Sequence, residues 1–180
     1  YCNGLTDITI PGSVTSIGYN AFQDCSSLTD ITIPGSVTSI REGTFKDCTS
    51  LTNINIPENV TSIGDDAFKN CSSLTNINIP ESVTSIGGNA FSGTPWLTNK
   101  QQDNPLVIVN GILIDGTACS GEVTIPDDVT KIGSSAFLNC TNLTSIVILE
   151  GVISIGACAF QNCTGLTSIK IPKSVTSIGD

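Results

Sequence analysis

Leucine recurs at Leu5, Leu28, Leu51, Leu74 and Leu97, each 23 residues after the last, and the same frame returns at Leu143 and Leu166. That period excludes a conventional globular core, because so short a unit cannot bury its own apolar face and must stack on a copy of itself. Leu51 to Ser73 gives the unit in full: L-T-N-I-N-I-P-E-N-V-T-S-I-G-D-D-A-F-K-N-C-S-S. Counted from its leucine, apolar residues hold places 1, 4, 6, 10, 13 and 18, with smaller ones at 17 and 21. Places 4 and 6 share one side of an extended segment and places 3 and 5 the other, the period-2 pattern of a half-buried strand. Proline at place 7 (Pro11, Pro34, Pro57, Pro80, Pro126, Pro172) ends that strand. Val-Thr-Ser-Ile makes a second strand, closed at place 14 by glycine everywhere except at Arg41. The Ala-Phe segment is too short for a free-standing helix and reads as a tight, 3₁₀-like turn. The expectation is a mainly β repeat solenoid of about eight 23-residue repeats, one domain over residues 1–180.

Residues that share a place should stack. All six phenylalanines hold place 18, so they are expected to form one aromatic column. Cys2, Cys25, Cys48, Cys71, Cys140 and Cys163 share place 21, leaving Cys119 and Cys158 off this ladder. Parallel stacked side chains do not aim their Cβ atoms at one another, and Thr94 or Thr117 can stand in for a ladder cysteine. Buried free thiols are therefore expected rather than disulfides.

One unit departs from the pattern. Between Leu97 and Cys119 the Ile and Pro places hold Lys100, Gln102 and Asp103, and Pro105 to Asp115 reads as two strands about Asn110-Gly111, a strong hairpin signal. Trp96 stands at the entrance to this unit. It either covers a local widening of the core or offers a ring for a ligand to stack on.

Composition narrows the chemistry. Sixteen acidic against seven basic residues give a net charge of −9, which argues against nucleic acid or an anionic membrane surface as partner. No apolar run reaches the ~18 residues of a membrane span. The chain has no histidine, which removes Ser-His and Cys-His nucleophiles, and it has no Cys-x-x-Cys spacing for zinc. Asp65-Asp66 and Asp127-Asp128 lie in turns at unrelated places, without the opposed geometry of an acid–base pair. No enzyme activity, metal or cofactor is expected. The Asn-x-Ser/Thr triplets at Asn59, Asn70, Asn139, Asn142 and Asn162 arise from composition alone.

What remains is a surface. Places 3 and 5 present Asp7/Thr9, Asp30/Thr32, Asn53/Asn55, Asn76/Asn78, Glu122/Thr124, Ser145/Val147 and Ser168/Lys170 outward. Either these side chains form a solvated ladder that steadies the stack, or they are a contact face of the kind solenoids use. The ligand-binding candidates are Asp7, Thr9, Asp30, Thr32, Asn53, Asn55, Asn76, Asn78 and Trp96.

The pattern L-T-x-I-x-I-P-x-x-V-T-S-I-G-x-x-A-F-x-x-C, carried by Leu28–Ser50 and by Leu74 to Phe91, closely resembles the BspA-like leucine-rich repeat. Pro95-Trp96-Leu97 and Pro105 to Gly116 are similar to the variant repeat of such bacterial proteins. The resemblance implies a right-handed leucine-rich-repeat coil. It also implies a secreted or surface-attached protein that binds host extracellular or cell-surface proteins; the alternative is a spacer or stalk whose binding or catalysis is carried by other domains. Tyr1 opens the chain, and Ser174–Asp180 begins a repeat that stops before its Ala-Phe, so a piece of a longer array is expected.

Overall fold

The structure, a computed structural model, describes residues 2–180. The architecture is a mainly β repeat solenoid of about seven turns. Its residues group into two compact units, one ending at Asn99 and the other spanning Lys100–Asp180.

In the first unit the first strands are β1 (Asp7–Thr9), β2 (Asp30–Thr32), β4 (Asn53–Asn55) and β6 (Asn76–Asn78); the second strands are β3 (Ser39–Ile40), β5 (Ser62–Ile63) and β7 (Ser85–Ile86). Every pairing is parallel and joins residues 23 apart: β1 with β2, β4 with β6, and β3–β5–β7 in one sheet. Because the register equals the repeat, the pleat puts Ile31, Ile54 and Ile77 inside and their Asp, Thr and Asn neighbours outside. A one-residue slip would turn every isoleucine to solvent.

The Ala-Phe segment is a run of turns rather than a helix. Places 16 and 20 are left-handed, as at Asn20 and Asp24 (φ 54° and 59°) or Asp66 and Asn70 (φ 53° and 59°), which suits Asn, Asp and Gly and forbids a regular helix. Alternate amides then serve two purposes. Those of Gly43, Phe45 and Asp47 donate to Asp65, Ala67 and Lys69 of the next coil, while those of Thr44, Lys46 and Cys48 close local turns. Phe22, Phe45, Phe68 and Phe91 stack at 5.4–5.6 Å, and Trp96 tilts against Phe91 at 4.8 Å as the last ring.

Arg41 marks a defect. At place 14 of the later coils a Cβ would meet the preceding coil's backbone, as one built on Gly64 would run into the Glu42 amide, whereas Gly18 in the first coil has open space around it. Arg41 carries a Cβ there. The second-strand sheet starts at β3, and Ser16–Ile17 of the coil before it form no strand. The guanidinium instead lies over the exposed Tyr19 ring, 5.1 Å from its centroid.

A helix absent from the sequence expectations, α1 (Pro95–Asp103), follows Phe91. Thr94 caps it: its Oγ1 accepts the Leu97 amide at 3.1 Å and donates to the Phe91 carbonyl at 2.7 Å. Pro95 at the first helical position has no amide to leave unpaired.

The second unit opens with β8 (Val107–Val109), antiparallel to β9 (Ile112–Asp115) around Asn110 and Gly111, whose φ of 50° and 73° are those of a type I′ turn. This hairpin is part of the stack. β9 is itself a second strand of the stack, pairing Leu113 with Ile132 of β11 (Lys131–Ile132), which continues through β13 (Ser154–Ile155) to β15 (Ser177–Ile178). The first strands are β10 (Gly121–Thr124), β12 (Leu143–Val147) and β14 (Ile169–Lys170), paired in that order.

Two sequence expectations change in this unit. Phe137 stacks on Phe160 at 5.3 Å, but on its other side Gly116 takes the aromatic place, where any Cβ would run into the Phe137 ring. The six rings therefore do not form one uninterrupted column. Cys119 also belongs to the cysteine ladder: its amide bonds to the Gly116 carbonyl as that of Cys48 does to Phe45, and its side chain is buried. The helix and hairpin change the residue count of this coil, so counting by 23 placed Cys119 wrongly. Cys158 is off the ladder, exposed at a left-handed place 16 (φ 54°).

All eight cysteines, of which Cys2 is also exposed, are free. The ladder thiols bond instead to backbone: Cys48, Cys71 and Cys163 each donate to the preceding coil's Phe carbonyl at 3.0 Å. Burial pushes the Cys71 and Cys140 thiols up to about 12.

Candidate contact face

The strand face is built by the pleat alone. With the isoleucine of each first strand turned inward, the residues on either side must point out. Asp7, Thr9, Asp30, Thr32, Asn53, Asn55, Asn76 and Asn78 are all exposed. Strand pairing sets them in two two-stranded sheets that are neighbours in the stack. β1 and β2 set Asp7 beside Asp30 and Thr9 beside Thr32; β4 and β6 set Asn53 beside Asn76 and Asn55 beside Asn78.

The two patches differ in chemistry. Two carboxylates in register on adjacent parallel strands lie about 4.8 Å apart at the backbone, and like charges so placed repel. That repulsion costs stability and would be relieved by a cation-bearing partner. In the amide patch Asn78 Nδ2 donates to Asn55 Oδ1 at 3.2 Å, while Asn53 reaches only the Thr52 hydroxyl at 3.4 Å. Every amide keeps donor and acceptor capacity for a partner. Within the second unit the same places carry Glu122 and Ser145 at place 3 and Thr124, Val147 and Lys170 at place 5, passing from acidic to basic.

Trp96 is not on this face. It sits on α1, 8% exposed, its ring against Phe91. Neighbouring turns carry an ion-pair cluster in which Asp66 holds Lys46 at 3.0 Å and Lys69 at 3.2 Å; the Asp66 hydrogen bond raises the Lys46 pKa. Among the described residues no group of three or more His, Cys, Asp or Glu is placed to hold a metal ion, and no helix is long and apolar enough to cross a membrane.

Sequence reasoning missed the Thr94 cap and the Arg41–Tyr19 pair. The first had a signal: Thr-Pro ahead of a polar run, with Pro105 beyond its end, is a helix-start and helix-stop pattern. The second had half of one, the arginine where every other copy has glycine.

The sequence model of the BspA type leucine rich repeat region matches residues 1–109 and 116–180, in six copies, leaving unmatched only the segment from Asn110 to Asp115. No curated protein matches the chain. Among solved structures, a leucine-rich repeat protein from Bacteroides ovatus aligns over 97% of this chain and 57% of its own, at 24% identity and a TM-score of 0.55. The T. pallidum leucine-rich repeat protein aligns over 93% and 67%, at 29% identity and 0.56. A leucine-rich cell surface protein from Faecalibacterium prausnitzii aligns over 97% and 44%, at 33% identity and 0.52. The chain thus spans little more than half the Bacteroides protein and less than half the Faecalibacterium one. With the repeat matched over nearly its whole length, the chain belongs to the BspA type leucine-rich repeat family.

Proposed function

We propose that this chain is a protein-interaction module of a secreted or cell-surface bacterial protein, and that its contact face is the outward row of the first-unit strands. One observation carries the reading. The eight exposed side chains Asp7, Thr9, Asp30, Thr32, Asn53, Asn55, Asn76 and Asn78 stand in strict register and take no part in the core. A rigid array of hydrogen-bonding groups at strand spacing binds without first having to be ordered, which lowers the entropic cost of association. The paired carboxylates favour a partner segment bearing lysine or arginine, and the amides favour an exposed backbone or polar surface. The surface location is supported by the Faecalibacterium relative described as a cell surface protein. Host extracellular or cell-surface proteins are the partner class in this reading, with no catalytic step.

The test is a variant with Asn53, Asn55, Asn76 and Asn78 all changed to alanine, passed over immobilised extracellular-matrix protein alongside the wild type. Loss of retention with an unchanged circular dichroism spectrum is expected. Undiminished retention would refute the assignment of this face.

A second reading has its own support. The Asn78–Asn55 bond, and hydroxyl-to-carbonyl bonds from Thr29 and Thr75 to the coil before, use part of the polar surface to tie coils together. In that reading the repeats are a spacer that sets reach, and binding is done by other domains.

A further inference from the structure

The coil that begins at Leu28 departs from the repeat at three places of a single turn. Where other regular copies have glycine at place 14 and alanine at place 17, it has Arg41 and Thr44; where they carry a side chain at place 16, as Asn20, Asp66, Asn89, Ser135 or Cys158, it has Gly43. Contacts tie these changes together. Thr44 is fully buried, and its Oγ1 donates to the Arg41 carbonyl at 2.8 Å, which satisfies the hydroxyl and fixes the arginine backbone. The Arg41 guanidinium reaches to the coil before and lies over the Tyr19 ring, 5.1 Å from its centroid. Gly43 leaves free the space that the Asn20 side-chain oxygen fills, since a Cβ on Gly43 would run into it. The Asn20 amide donates to the Glu42 carbonyl at 3.0 Å, which sets Tyr19 and Asn20 against Glu42. The core needs none of this, because regular copies fold with Gly and Ala at places 14 and 17.

Among the described residues Tyr19 is the one exposed aromatic side chain, at 65%. The exposure belongs to its place in the repeat, for Glu42 and Asp65 at the same place of the next two coils also face solvent. The cation steadies the ring and leaves apolar ring surface open to water. The groups set around that ring are polar: the guanidinium, the Asn20 amide and the Glu42 carboxylate. Their charges oppose one another. Arg41 is positive, Glu42 and Asp65 are negative, and Asp66 is already held by Lys46 and Lys69. An acidic ligand would meet the two free carboxylates, and a basic one would meet Arg41. A protein hot spot needs a surround of contacts that exclude water, and these neighbours are themselves charged or polar and solvated. A neutral sugar ring matches all three conditions. Its C–H face lies on the aromatic ring, while its hydroxyls donate to Glu42 and accept from Arg41 and Asn20.

We infer that Tyr19, Asn20, Arg41 and Glu42 form a binding site for a neutral hexopyranose unit of a glycan, with Tyr19 as the stacking platform. The site goes beyond the protein-interaction reading and uses none of the strand-row residues, so the two can fail separately.

The measurement is titration of the protein with cellohexaose, maltohexaose and mannohexaose, followed through the NMR signals of the Tyr19 ring, with an acidic galacturonate hexamer and a basic glucosamine hexamer as controls. At least one neutral hexasaccharide should give a saturable shift and bind ten-fold or more tightly than either charged control. Y19A changes only an exposed side chain, and R41G installs what regular copies already carry; each should weaken binding by ten-fold or more without lowering the thermal unfolding midpoint. Y19F keeps the ring and should bind about as tightly as the wild type. The alanine variant of Asn53, Asn55, Asn76 and Asn78 should also bind the sugar as the wild type does, whatever its behaviour on matrix protein. The absence of a saturable shift with all three neutral sugars, a charged control that binds as tightly, or an undiminished Y19A variant would overturn the inference. So would loss of Y19A retention on matrix protein stripped of its glycans, which would make the occupant a protein.

Discussion

Truncating Phe68 to alanine should be among the most damaging single changes in the first unit. Its ring is fully buried and lies between Phe45 at 5.4 Å and Phe91 at 5.6 Å, nearly parallel to both. Removing a buried phenylalanine costs about 3–5 kcal/mol when the cavity cannot collapse. Collapse is blocked here because the coil spacing is fixed by backbone bonds on both sides, from Phe45 to Ala67 and from Phe68 to Ala90. Phe22 provides the control. It has the same place and chemistry, but it is half-buried and has one ring neighbour, at 5.5 Å. Alanine there should cost only about 1–2 kcal/mol, in line with the smaller area removed from water. Urea unfolding followed by circular dichroism gives both numbers, and hydrogen exchange at the Phe45 and Phe68 amides localises the loss. If F22A and F68A cost the same, the stability of this stack would not come from inter-coil ring packing, and the argument would be wrong.

Thr94→Val keeps the shape of the side chain but loses the helix cap and the bond to Phe91; it should cost about 1–2 kcal/mol, and an unchanged unfolding midpoint would contradict the cap. Arg41→Gly should let the segment at Thr15–Ile17 join the second-strand sheet, raising hydrogen-exchange protection of the Thr38 amide; unchanged protection would show that the arginine is not what holds the strands apart. Native protein should react quickly with a thiol reagent at the exposed Cys2 and Cys158 and slowly elsewhere, all eight thiols appearing on unfolding without reductant; a low total would mean disulfides. Cys71 and Cys140 are held near 12 in the fold against an ordinary 9.0, so the native state keeps protons that the unfolded chain gives up. Their contribution is complete below pH 9 and is lost as pH rises from 9 toward 12, so unfolding midpoints should fall over that range and C71A should flatten the fall.

The repeat was legible because one residue count governs everything at once. Twenty-three residues set the register, so Ile54 inward and Asn53 and Asn55 outward followed from the pleat without any tertiary information. Where the count fails, so did the reading. Between Thr94 and Cys119 the chain spends residues on a capped helix and a tight hairpin, and a cysteine that belongs to the ladder falls out of place by arithmetic. Gly116 in the phenylalanine place was equally invisible, since only the position of the Phe137 ring shows why a side chain is excluded. The face was legible as a list of residues but not as two separately paired sheets. That division depends on which adjacent strands pair, and β2 and β4 carry the same pattern as the strands that do.

The measurement that bears most directly on the outward row compares two exposed rows on the same stack. N53A/N55A/N76A/N78A empties the first-strand row; T38A/T61A/T84A empties the outward threonines ahead of the second strands. Retention on immobilised extracellular-matrix protein is measured for both, with unfolding midpoints as the control on folding. The asparagine variant should lose retention while the threonine variant keeps it, both within about 1 kcal/mol of wild-type stability. Equal retention by the two variants, or loss only in the threonine one, would contradict the assignment of Asn53, Asn55, Asn76 and Asn78 as the contact face.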